Sequence, residues 1–147
     1  MPIYNPPVKD ARFILDSVIG LDKYSNLPGF ESASPDIVSA VLEEGGKFAA
    51  EVCFPLNQVG DQEGCTRHAD GSVTAPTGFK DAYKQFTEAG WATLHSPTEY
   101  GGQGLPSVVA TAFGEFMCSA NHSFEMYHGL TMGATNALLA KGSEEQK

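Results

Sequence analysis

The side chains of this 147-residue chain best placed to do chemistry at neutral pH are four histidines, three cysteines and two glutamates set in apolar surroundings. His68, His95, His122 and His128 could move a proton or ligate a metal. No two of them stand three or four residues apart, the spacing that puts two ligands on one helix face. Cys65 and His68 are three apart, with no second pair to complete a site. Cys53, Cys65 and Cys118 are an odd number at no metal-like spacing, which fits a reducing compartment. No metal site is expected. Glu115 and Glu125 could each have a raised pKa if buried and unpaired, although a glutamate in such a stretch more often pairs with a cation or caps a helix.

Gly101-Gly102-Gln103-Gly104 invites comparison with phosphate-binding loops. It lacks the Lys-Ser/Thr that follows in a P-loop, and no strand precedes it as a dinucleotide fingerprint requires. Its glycines instead suit a sharp turn of the backbone into a helix at Pro106. No Gly-x-Ser-x-Gly elbow occurs. The residues by themselves locate no reaction centre in this chain.

Composition narrows the partners. A net charge of −9 opposes binding to phosphate backbones or to anionic lipid surfaces. Hydrophobic residues at 41% and charged residues at 18% describe a globular chain whose charge is low against the usual value of about 25%. That shortage suggests surface meant to be covered. The length suits one domain, which at this size buries about 70% of its unfolded surface. Met1–Asp10 has no secretory character and no apolar run reaches about 18 residues, so the expected place is the cytoplasm.

The elements that must position these residues are mostly helical. Residues 1–9, with Pro2, Pro6 and Pro7, read as an extended arm. Asp10 can cap a short helix carrying Phe13, Ile14 and Val18, stopped by Gly20, and residues 21–33 read as a linker. Ser34-Pro35-Asp36 is a strong helix start. Val38, Val41, Leu42, Phe48, Ala49 and Val52 follow at helical spacing until Pro55, which is expected to end the run. Gly45-Gly46 within it points to a tight helix crossing. Asp70-Gly71 can close a small hairpin between Thr66–Ala69 and Ser72–Ala75. Phe79, Ala82, Tyr83 and Phe86 mark another helix, with Gly90 as its stop, and residues 91–105 form a loop.

From Pro106 the character changes. Between residues 105 and 143 only Glu115, Glu125 and Lys141 carry charge. Val109, Phe113, Phe116, Met117 and Ala120 form one stripe, widened by Val108 and Ala112. Leu130, Ala134, Ala137, Leu138 and Ala140 continue it after a break near Asn121 and His122. Helices apolar nearly all round are buried helices, and covering protein beyond this chain is expected. Ser143-Glu144-Glu145-Gln146 then matches a capping box, a helix start just before the last residue, so the chain is read as truncated.

Gly90-Trp91, followed by Pro97-Thr98-Glu99-Tyr100-Gly101-Gly102-Gln103-Gly104-Leu105-Pro106, resembles the signature loop of the acyl-CoA dehydrogenase N-terminal domain. Gly142-Ser143-Glu144-Glu145-Gln146-Lys147 resembles that domain's ending. Pro55-Leu56-Asn57, Gly60-Asp61, Glu63-Gly64-Cys65, Pro76-Thr77-Gly78-Phe79 and the arm Tyr4-Asn5-Pro6-Pro7 are similar to the longer branch of the family, which acts on fatty acyl-CoA and on 3-methylmercaptopropionyl-CoA.

The resemblance implies an all-α helical bundle with an extended arm and, at most, one small hairpin. It divides the chain into an arm and short helix, 1–33, and the N-terminal helical domain, 34–147, which precedes a flavin-binding middle domain. It implies a parent enzyme in which a base takes the α-proton of an acyl-CoA while the β-hydrogen leaves as hydride to FAD. The base and the flavin site lie in later domains, so no catalytic or cofactor residue falls here. This domain would supply one wall of the acyl pocket, from Tyr100 and Gly101 on the loop and Met126, Tyr127, Leu130, Thr131, Gly133 and Ala134 near the end, with Glu125 adjoining. Thr131 and Thr135 beside Tyr127 would suit a short or heteroatom-bearing acyl group. The parent's partners would be acyl-CoA, an electron-transfer acceptor and other copies of itself. Two alternatives stay open: an acyl-CoA oxidase or related flavoprotein on this fold, and a stand-alone helical interaction module.

Overall fold

The computed structural model of the chain describes residues 3–27 and 29–147. The expectation for Met1 and Pro2 in the arm lies outside the described residues. From Ile3 to Pro7 the chain is irregular, and helix α1, Val8–Phe13, begins after Pro7 rather than at Asp10. Asp10 lies in its first turn, where the helix dipole favours an acid. The helix widens to π-type bonding over Ile14–Ile19 and stops at Gly20, whose φ of 67° is left-handed. The widening changes which side faces inward. Leu15 is buried, whereas Phe13, Ile14 and Val18 are exposed, because a face drawn at 3.6 residues per turn fails once the ladder widens.

Helix α2, Pro35–Phe48, starts where expected, with the Ile37 amide donating to Ser34 Oγ at 3.4 Å. Pro55 does not end the run. A π-type turn, Ala49–Cys53, carries the helix directly into α3, Phe54–Glu63, and places Pro55 in the first turn of α3, where a missing N–H is tolerated. A short antiparallel pair follows, β1 (Thr66–Arg67) and β2 (Val73–Thr74), with Thr66 opposite Thr74. Asp70 Oδ1 accepts from the Ser72 amide at 2.9 Å and shapes the turn, as asparagine and aspartate commonly do. Helix α4, Phe79–Glu88, buries Phe79, Ala82 and Phe86, and Gly90 follows it with a φ of 78°.

Helix α5, Ser107–Lys141, is two helices joined at Asn121, whose φ of −159° and ψ of 89° are not helical. The first half buries Val109, Phe113, Phe116, Met117 and Ala120, the stripe read from the sequence. In the second half Phe124 is the last buried side chain among the described residues. Leu130 and Leu138, which continue the apolar stripe, are exposed, on the surface for which covering protein beyond this chain is expected. The core gathers α2, α4 and the first half of α5, with Leu15 and Leu21 joining it from the N-terminal segment. At its centre Trp91 stacks on Phe113 at 4.8 Å, and Phe86 meets Phe113 and Phe124 at 6.4 and 6.0 Å between centroids. The fold is an all-α bundle with one small hairpin. At its end the Ser143 amide donates to Gln146 Oε1 at 3.0 Å, the reciprocal half of a capping box.

Candidate functional site

The loop from Gly90 to Pro106 is held by its own backbone. The amides of Gln103, Gly104 and Leu105 donate to the carbonyls of Thr93, Ser96 and Leu94 at 2.9–3.0 Å, and Gln103 Nε2 donates to Gly90 O at 2.8 Å. Gly102 lies so close to Ser96 that a Cβ there would sit 2.0 Å from its carbonyl oxygen. The glycines therefore do serve geometry: they fold the loop flat and aim it into α5.

Against this loop lies the second half of α5. His128, Met132 and Asn136, at helical positions i, i+4 and i+8, form one ridge and line two adjoining cavities. The first, about 770 Å³, is walled by Phe86, Trp91, Leu94 and Phe113, with Glu115, Glu125, His95, His128 and Cys118 among its polar groups. The second, about 490 Å³, lies between Pro97 and Tyr100 on the loop and Thr131, Thr135 and Leu139 on the helix. An apolar cleft of several hundred cubic ångströms with a few polar groups is the usual form of a small-molecule site.

The polar groups have unusual environments. Glu125 is half-buried with no ion pair among the described residues, and burial pushes its carboxyl up to about 7. His128 sits edge-on to Phe86 at 5.2 Å, and burial, followed by the nearby His95, lowers its pKa. Burial and then the Glu125 charge raise the Cys118 thiol. These side chains could hold a proton or donate one hydrogen bond inside an apolar space. Among the described residues no cluster of His, Cys, Asp and Glu could hold a metal. The first cavity is lined by no Lys or Arg and carries Glu115 and Glu125, so it offers no cationic side chain to a phosphate.

The wall expected from the sequence is divided. Tyr100 and Thr131 meet in the second cavity. Gly101 stands beside it at a φ of 81°, with nothing within 4 Å of where its side chain would be. Tyr127 packs on Phe79 with centroids 6.0 Å apart and lines a different cavity with Cys65 and Ser123. Tyr127 thus shares a ridge with Thr131 and Thr135 without opening into their cavity. Met126, Leu130, Gly133 and Ala134 lie on the exposed outer side of α5. The ridge His128, Met132 and Asn136, and the loop residues Trp91 and His95, were not singled out from sequence as lining residues. Their helical spacing of four was visible, but which side of α5 met the loop was not.

Comparison with known proteins supports the family resemblance read from the sequence. The family model described as "Acyl-CoA dehydrogenase, N-terminal domain" matches residues 40–147. A 3-methylmercaptopropionyl-CoA dehydrogenase of Ruegeria pomeroyi is 40% identical over 144 residues, 98% of this chain and 24% of that protein. A broad-specificity linear acyl-CoA dehydrogenase of Mycobacterium tuberculosis is 30% identical over 148 residues, covering 100% of this chain and 24% of that protein. The chain thus spans about a quarter of the length of these curated relatives. It belongs to the acyl-CoA dehydrogenase family, as that family's N-terminal helical domain.

Proposed function

We propose that this chain is the acyl-pocket domain of a longer FAD-dependent enzyme that introduces a double bond between the α and β carbons of an acyl-CoA thioester. The observation that carries this reading is the cleft between the Gly90–Pro106 loop and α5, lined on the helix by His128, Met132 and Asn136. Residues 34–147 form the domain, and residues 1–33 serve as its arm. Its share in the reaction is to enclose the acyl group and exclude water from it. The flavin and the base belong to other parts of the protein, as does the contact with an electron acceptor.

The acyl wall consists of Tyr100 and Thr131 in the cleft, with Gly101 at its rim. Met126, Tyr127, Leu130, Gly133 and Ala134 form its outer continuation, which further protein of the same enzyme covers. Glu125, its carboxyl pushed up to about 7 and so partly protonated at neutral pH, offers a hydrogen bond to a polar atom on the acyl group. The aromatic rings of Phe86, Trp91 and Phe113, with Met132, suit a thioether, since sulfur packs well at ring edges. A short thioether acyl-CoA is therefore the first substrate to try, consistent with the name of the relative from Ruegeria pomeroyi. Among the described residues no helix is long and apolar enough to cross a membrane. We place the enzyme in the cytoplasm as a homo-oligomer.

The test is flavin reduction. The whole protein should purify yellow and bleach anaerobically with 3-methylmercaptopropionyl-CoA or a linear acyl-CoA, while residues 1–147 alone should carry no flavin absorbance. A whole protein without flavin, or one bleached by no acyl-CoA, would overturn the reading.

A further inference from the structure

Asn121 is buried to 1% exposure, and its side chain makes two hydrogen bonds that differ in kind. Its Oδ1 accepts from the Phe124 amide at 3.0 Å and caps the second half of α5. Its Nδ2 donates to the carbonyl oxygen of Cys53 at 3.1 Å, at the end of the π-type turn that leads to Pro55. The first half of α5 is locked in the core, and beyond Phe124 no side chain of the second half is buried among the described residues. Past Phe124 the second half meets the core only through partly exposed side chains, Tyr127 on Phe79 and His128 on Phe86, so the joint carries much of its direction. We infer that Asn121, through its bond to Cys53, is a positioning residue that sets the angle of the pocket-bearing half of α5 and so tunes which acyl lengths the enzyme prefers.

The lever is uneven along the helix. At 1.5 Å per residue, Glu125 lies about 6 Å from the joint and Asn136 about 22 Å. A tilt of about 10° moves the first by roughly 1 Å and the second by roughly 4 Å, since displacement grows with distance along a stiff helix. Ligands that reach only the near end feel little change, and those reaching Met132 and Asn136 feel much more. A cap alone would not do this: an oxygen at residue 121 starts a helix, and the amide nitrogen ties that start to the π-type turn at Cys53.

This inference rests on the acyl-pocket reading, and the experiment separates the two. Asn121→Asp keeps the oxygen that caps Phe124 and removes the donor to Cys53. Asn121→Ser keeps a capping oxygen on an arm too short to reach Cys53, without a charge, and serves if the aspartate variant loses its flavin. In the whole enzyme the expected result is retained flavin, with kcat on the best substrate within about threefold of the parent. The ratio of kcat/KM between short and long acyl-CoA should shift by about tenfold, because ångström misplacements of that size are costly in a pocket. A flavin-bound variant with an unchanged chain-length profile, or one that loses activity equally on every acyl length, overturns the inference alone. An unsubstituted enzyme that no acyl-CoA reduces overturns the acyl-pocket reading and this inference with it.

Discussion

The ring of Phe113 lies against the backbone of Gly45, so close that a Cβ on Gly45 would stand 2.6 Å from Phe113 Cδ2. Gly45 is therefore where α5 crosses α2, while its neighbour Gly46 faces Pro6 and Val8 of the N-terminal segment. Phe113 cannot swing aside, because Trp91 and Phe86 stack on it. On helix propensity alone Gly45→Ala would stabilise by about 1 kcal/mol. Here overpacking reverses the sign, with an expected net loss of about 2 kcal/mol. Phe113→Leu in the same chain should recover part of it. Urea midpoints of the parent and the two variants check this, and a Gly45→Ala protein more stable than the parent would rule out the close crossing.

Neighbouring glycines in the loop should behave differently. Gly102→Ala drives a methyl into the Ser96 carbonyl, a backbone atom that cannot move without undoing the loop. A loss of more than about 3 kcal/mol is expected, as for a severe steric conflict. Gly101→Ala faces open space at a φ of 81° and meets only backbone strain, about 1 kcal/mol. Equal losses in thermal unfolding would contradict the loop geometry.

Glu125 should make stability depend on pH. Its folded pKa of about 7 lies above its ordinary 4.5, so the folded state holds the proton more tightly than the unfolded state. Its contribution is fully favourable below 4.5 and is lost as pH rises to about 7. Partial solvent access reduces the effect to about 1–2 kcal/mol. His128 faces the same cavity and, with its pKa lowered, acts oppositely as pH falls below its ordinary range near 6.5. His95 and the acid Glu115 also face that space. Glu125→Gln isolates the glutamate, and the variant's unfolding free energy should fall less between pH 4.5 and pH 7 than the parent's.

The two halves of α5 should differ in what they do for stability. Met117 is fully buried, and Met117→Ala is expected to cost about 2–5 kcal/mol. Leu130 is 82% exposed, and Leu130→Ala in the isolated chain should stay within about 0.5 kcal/mol of the parent. In the whole enzyme Leu130→Ala should lower kcat/KM for acyl-CoA. Denaturant midpoints of the isolated chain and steady-state kinetics of the whole protein measure the two effects separately.

What the sequence by itself determined was whatever depends on neighbours along the chain. Ser34 starts α2, Gly20 and Gly90 stop their helices, Asp70-Gly71 turns the hairpin, and a polar break at Asn121 interrupts α5. Caps, turns and glycine conformations act over a few residues and can be read there. The stripe from Val109 to Ala120 was legible for the same reason, as a periodic pattern on one rigid helix.

Tertiary structure alone decided the rest. Pro55 is carried through because a π-type turn precedes it, and a widened ladder leaves no mark in hydrophobic spacing. The same widening turned Leu15 inward in place of Phe13. The sides of α5 were chosen by the angle at Asn121, which depends on a carbonyl 68 residues earlier. That angle put Tyr100 with Thr131, left Leu130 outside, and buried Glu125 far enough to raise its pKa. Burial and cavities are sums over residues distant in sequence, so they exist only once the helices have crossed.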